Sequence, residues 1–300
     1  MSEVLATVVA MTAVDLPVVG ALSPSRASDF MTCPLLFRYR TIDRLPQTPS
    51  SAATRGTLVH AVLERLFDLP AAERTPDSAA ALLAPEWERL REAEPEVAGL
   101  FTSEEEVAAW LQSAQGLLEG YFSLEDPRRL DPAERESYVE VVLPGGLQLR
   151  GIVDRLDQAQ TGALRVVDYK TGRAPHEAFE GKALFQMKFY ALVIWRSRGV
   201  IPARLQLMYL GDRATLSYEP DESDLIATER KLLALWQAIE RAVQARDFRA
   251  TPSRLCDWCD HQAICPAKGG EALPWPEVLP DASEPEARHV EAQARSAEPF

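Results

Sequence analysis

Several things are scarce in this sequence, and each scarcity removes a class of protein. The longest apolar run, Val4–Val14, is too short to span a bilayer, follows Glu3 rather than a basic region and lacks a cleavage site, so neither a membrane anchor nor export is expected. Four cysteines in 300 residues, without a secretory signal, point to a reducing, cytoplasmic compartment and to metal or cluster ligation instead of a disulfide framework. The chain has no G-x-x-x-x-G-K-[ST] stretch, hence no recognisable ATP motor, and no internal repeat. Basic charge is also short, with 32 Lys and Arg against 45 Asp and Glu. A net charge of −13 speaks at first against a phosphate-rich partner.

The distribution of charge reverses that impression. Residues 64–140 hold 19 acids, 7 Arg and no Lys, and residues 271–300 hold 7 acids and 2 Arg. Residues 22–65 carry 6 Arg against 3 acids, and residues 165–213 carry 9 basic residues against 4 acids. The acidic excess therefore sits in an insertion and a tail, and two other segments are locally basic.

Apolar spacing predicts a short helix capped by Ser23 or Ser25, then an amphipathic helix over residues 54–68 with Thr54 as N-cap. Residues 76–123 read as helical, interrupted near Pro95, with acidic faces that suggest a solvated insertion. Residues 136–143, 147–157 and 163–170 alternate as three strands joined by Pro-Gly-Gly and Gln-Ala-Gln-Thr-Gly turns, an antiparallel meander. A helix over 177–198, strands near 204–211 and 214–219, and a helix over 221–246 follow. This order is a mixed α/β fold. The expected organisation is an N-terminal segment of undefined structure (1–21), one domain (22–270) with an acidic helical insertion (69–136), and a disordered acidic tail (271–300).

Strand alternation sends Asp168 and Lys170 to one face and Val167 and Tyr169 to the other. A turn centred near Gln160 puts Asp154 opposite Asp168, just as it puts Gln158 opposite Leu164. Opposed carboxylates repel unless positive charge lies between them, and a divalent cation with substrate phosphate fits that need. A surface Asp168–Lys170 ion pair is the simpler reading of these residues alone. His60, one helical turn after Gly56, and Gln186 with Tyr190, one turn apart, would likewise pass singly for ordinary helix-surface residues. Glu140 reads equally well as a site residue and as the cross-strand partner of Arg150.

Taken together, G-x-x-x-H (Gly56–His60), G-x-x-D-R (Gly151–Arg155), D-Y-K (Asp168–Lys170) and Q-x-x-x-Y (Gln186–Tyr190) resemble the RecB-like branch of the PD-(D/E)XK nucleases, over about residues 22–268. The resemblance extends to stand-alone bacterial RecB family exonucleases and CRISPR-associated RecB-like nucleases. It implies a restriction-endonuclease-like mixed sheet flanked by helices. It also implies a Mg²⁺ or Mn²⁺ ion held by His60, Asp154, Asp168 and the Tyr169 carbonyl, with Lys170 as catalytic lysine. Gln186 and Tyr190 would position the DNA strand and Arg155 would support the site. The implied activity is hydrolysis of DNA ends or single strands to 5′-phosphate products, in repair or recombination, with a helicase as a possible partner. The alternative within the same fold is a non-catalytic DNA-binding or scaffold subunit of a helicase–nuclease complex.

Cys256, Cys259 and Cys265 form a C-x2-C-x5-C run, and Cys33 is the one remaining cysteine. Four thiolates suit either a [4Fe-4S] cluster or tetrahedral zinc, and spacing does not decide. A distant cysteine plus a compact C-terminal triplet resembles the iron-sulfur RecB-like nucleases. A cluster there would staple the N- and C-terminal regions, which by analogy with a disulfide removes roughly 5 kcal/mol of unfolded-state entropy.

Overall fold

Alternating apolar and polar residues from Glu134 to Lys170 fold as the expected meander in the computed structural model, which describes residues 20–175 and 180–277. Strands β2 (Glu134–Val142), β3 (Gln148–Gln158) and β4 (Leu164–Lys170) pair antiparallel in sequence. Gly145 and Gly146, at φ +94 and +87, make the first turn, where residues with a Cβ would be strained. The β3–β4 ladder runs from Gln158↔Leu164 to Arg155↔Val167, the register expected from the sequence.

A crossover through α6 (Glu180–Arg198) brings β5 (Arg204–Tyr209) parallel to β4, and β6 (Ala214–Tyr218) returns antiparallel. The strand order is β1-β3-β4-β5-β6, with β1 (Ala21–Leu22) parallel to β3 and β2 on the other edge of β3. The result is a mixed sheet flanked by helices.

One face is covered by α1 (Pro24–Thr32), α2 (Pro34–Phe37), α6 and α7 (Glu222–Ala245), packed on Leu149, Val153, Val166 and Leu205. Ser23 caps α1 by accepting the Arg26 N–H. The other face is covered by α3 (Ser51–Leu66), α4 (Pro76–Ala93) and α5 (Glu104–Leu124), packed on Val167, Tyr169, Met208 and Leu210. Helix α3 starts earlier than its apolar spacing indicates, because Ser50 accepts the Ala53 N–H and caps it.

The acidic segment expected as a solvated insertion is in fact this second layer. Most of its acids face outward, Glu86 being the buried exception that pairs with Arg65 and Arg89, while Leu83, Trp87, Trp110, Leu118 and Tyr121 are buried. The contact is close: a Cβ on Gly120 of α5 would lie 1.9 Å from the Leu210 carbonyl oxygen. Beyond α7 the chain returns to α1 and α2. Phe248 stacks on Phe37 and Trp275, and Arg38 donates to the carbonyls of Leu273 and Pro274 at 3.0 and 2.5 Å. Residues 271–277, assigned to the tail by composition, are thus held against the domain. The apolar run Val4–Val14 and residues 278–300 of the expected tail lie outside the described residues. No described helix is long and apolar enough to cross a membrane.

Candidate active site

Strand β4 carries the centre of the site because it is buried on both faces. Val167 and Tyr169 enter the α3–α5 layer, whereas Asp168 and Lys170 point toward α6. Lys170 Nζ lies 3.0 Å from Asp168 Oδ2 and donates to Gln186 Oε1 at 2.7 Å. Gln186 Nε2 in turn donates to Asp168 Oδ1 at 3.0 Å and to the Tyr190 hydroxyl at 3.2 Å. One turn of α6 therefore holds both the carboxylate and the ammonium of β4 through a single amide. Tyr190 reaches across to β3, where a Cβ on Gly151 would sit 2.6 Å from its ring. The glycine of G-x-x-D-R and the tyrosine of Q-x-x-x-Y thus fit each other.

On the α3 side, His60 Nε2 is 3.0 Å from the Tyr169 carbonyl oxygen, and His60 Nδ1 is 3.4 Å from Asp154 Oδ2. Asp154 Oδ2 also accepts the Tyr169 N–H at 2.8 Å, so a side chain takes over from the ladder one residue beyond Arg155↔Val167. Both main-chain groups of Tyr169 are therefore held by predicted site residues.

Glu136 is a member of this group that the motifs do not reveal. His60, Glu136 and Asp154 each offer a ligand atom within 4.8 Å of the others, and His60 Nδ1 is 3.8 Å from Glu136 Oε1. The β2–β3 register, with Arg135↔Arg155 and Ser137↔Val153 on either side, puts Glu136 opposite Asp154. Its φ of +42 is unusual for a residue with a Cβ in a strand, and marks a local distortion beside the site. The sequence held the signal: pairing Glu140 with Arg150 places Glu136 across from Asp154 by simple counting. The trio does not include Asp168, whose carboxylate is engaged by Lys170 and Gln186. Glu140 is exposed, about 13 Å along β2 from Glu136. There it pairs across the strands with Arg150 and accepts from Tyr138 and Gln148.

Burial opposes charge on His60, but the Asp154 and Glu136 carboxylates overcome it and raise its pKa to about 10. Carboxylate and carbonyl oxygens of this kind suit a hard divalent cation, and the imidazole adds one nitrogen donor. Arg155 is fully buried under the site. It is paired with Glu125 and Asp157, donates to the Tyr169 hydroxyl at 2.7 Å, and lies over the Phe67 ring.

Cys33, distant in sequence, lines one pocket with Cys256, Cys259 and Cys265, together with Tyr39 and His261. The Thr251 N–H donates to Cys33 Sγ at 3.4 Å and the Ser253 N–H to Cys256 Sγ at 3.3 Å, and the His261 N–H serves Cys259. Burial raises the Cys259 thiol above its ordinary value, and the His261 backbone N–H works against that shift.

A mixed sheet bearing carboxylates and a lysine at a strand end, beside a His/Glu/Asp trio, defines a nuclease architecture that uses a divalent metal. The chain belongs to the PD-(D/E)XK nuclease superfamily, whose profile matches residues 21–266. It is 26% identical over 287 residues to the Gene 69 protein of Mycobacterium phage D29, covering 85% of this chain and 99% of that one. It is 28% identical over 126 residues to the Gene 69 protein of Mycobacterium phage L5, covering 40% of each. Its fold resembles the crystal structure of a Eubacterium rectale protein described as a candidate exonuclease, with a TM-score of 0.51 and 13% identity over 81% of this chain and 88% of that one.

Proposed function

We propose that this nuclease is a RecB-like deoxyribonuclease that cleaves DNA ends or single strands using Mg²⁺ or Mn²⁺, and that its four cysteines hold a [4Fe-4S] cluster. The observation that carries the activity is the joint placement of Asp168, Lys170, Gln186 and Tyr190 on one side of β4 and of His60, Asp154 and the Tyr169 carbonyl at its end. His60, Asp154, Glu136 and the Tyr169 carbonyl would hold the cation, with Asp168 completing the acidic row. Bound there, the ion supplies Lewis-acid stabilisation of phosphate charge. Lys170, fixed by Asp168 and Gln186, presents its ammonium to charge developing on the scissile phosphate. Gln186 and Tyr190 orient the strand, and Arg155 keeps Tyr169 in place. Hydrolysis leaves a 5′-phosphate, a role suited to repair or recombination, in which a helicase is a possible partner.

Anaerobically purified protein assayed with Mg²⁺ and Mn²⁺ on end-labelled linear and circular DNA tests this reading. Metal-dependent release of nucleotides from ends is expected. Wild-type cleavage by Lys170→Met or Asp168→Ala would overturn the assigned roles, and DNA binding without cleavage under any divalent metal would make the chain a scaffold subunit. The cluster is tested separately, by iron and sulfide content and visible absorption, with zinc as the contrary result.

A further inference from the structure

His261 lies in the cysteine pocket, between Cys259 and Cys265 in sequence, and is only 5% exposed. Its Nε2 is buried and has no hydrogen-bond partner among the described residues. The ring is not loosely placed. It meets Tyr39 edge-on at 5.4 Å, and the Tyr39 hydroxyl is itself anchored to the Ile264 carbonyl at 2.9 Å. A buried polar nitrogen held in a fixed orientation needs a partner, and this one lines the pocket that the four cysteine sulfurs share. Three thiols of the pocket already receive backbone N–H donors, so the wall is organised around acceptors. Thiolates and inorganic sulfide only accept, which favours the imidazole tautomer carrying its proton on Nε2.

We infer that His261 donates its Nε2–H to a sulfur of the cluster held by Cys33, Cys256, Cys259 and Cys265, and thereby sets the reduction potential and oxidative stability of that cluster. The inference rests on the [4Fe-4S] reading of the pocket. A hydrogen bond to sulfur favours the reduced, more negative form, so its loss lowers the potential.

The test compares the full-length wild type with His261→Phe and His261→Gln, all purified anaerobically, by spectroelectrochemical titration and by the rate of bleaching in air. Phenylalanine keeps a ring against Tyr39 and removes the donor, whereas glutamine retains an N–H. The Phe variant should show about a tenfold loss in the reduced-to-oxidised ratio at a given potential, about 59 mV for one electron, and several-fold faster bleaching. The Gln variant should recover most of both. A Phe variant with wild-type iron, sulfide, midpoint and bleaching rate would overturn the inference while leaving the cluster intact. Failure of both variants to assemble a cluster, with unchanged melting of the metal-free protein, would replace hydrogen bonding by direct ligation. Wild type without iron and sulfide would instead refute the cluster itself.

Discussion

The ring of Tyr190 covers residue 151 so closely that only glycine fits: a Cβ there would lie 2.6 Å from Tyr190 Cε1 and 3.5 Å from Pro24 Cδ. Tyr190 also receives the Gln186 amide at 3.2 Å, so displacing the ring disturbs the amide that holds Asp168 and Lys170. Gly151→Ala should cost about 1–3 kcal/mol through overpacking and should reduce cleavage. A double-mutant cycle with Tyr190→Leu checks the cause. The two changes should be strongly non-additive, and simple additivity in melting experiments would rule the contact out.

Lys170 and Glu136 should separate kinetically. Lys170→Met should lower the cleavage rate by about 100- to 1000-fold without changing Mn²⁺ affinity, since its ammonium serves phosphate charge rather than the ion. Glu136→Gln should instead weaken Mn²⁺ by about 10- to 100-fold. Metal titrations of both variants, read by cleavage rate and by calorimetry, distinguish the roles.

His60 links metal binding to pH. Burial disfavours its charge, yet Asp154 and Glu136 raise its pKa from 6.5 to about 10 in the metal-free protein. A raised folded-state pKa stabilises the metal-free fold fully below the unfolded value of 6.5, and that stabilisation is lost as pH rises through about 10. A metal ion needs the neutral ring, so it must displace the proton. Mn²⁺ affinity should therefore rise about tenfold per pH unit through the neutral range, with close to one proton released per ion. Calorimetry in buffers of different ionisation enthalpy measures this, and His60→Gln should abolish the release.

Gly120→Ala tests whether the acidic helices are integral to the domain. The added Cβ would meet the Leu210 carbonyl oxygen at 1.9 Å, a backbone atom that cannot turn aside. A loss of about 3 kcal/mol is expected. Melting unchanged by the substitution would mean that α5 does not press on the chain at Leu210, just past β5.

Much of the candidate site's geometry was legible in the sequence. The Gln-Ala-Gln-Thr-Gly turn set the β3–β4 register, and strand alternation separated Asp168 and Lys170 from Val167 and Tyr169. Both are local, because a turn defines pairing and the pleat has a period of two. Glu140 pairs across the strands with Arg150, and that same register brings Glu136 opposite Asp154. Surface acids likewise hid the packing role of α4 and α5, since net charge reports the solvent face of an amphipathic helix and not its buried stripe.

By itself, then, the sequence determined the strand hairpins, the sides of β4 on which its residues lie, and the grouping of motifs on helix, strand, strand and helix. Only the tertiary structure decided which carboxylates meet His60, which glycines must lie under another element's atoms, and that Cys33 shares a pocket with cysteines more than two hundred residues away. Periodicity and turn chemistry act between near neighbours, whereas these placements depend on how closely layers approach once the sheet is covered on both faces.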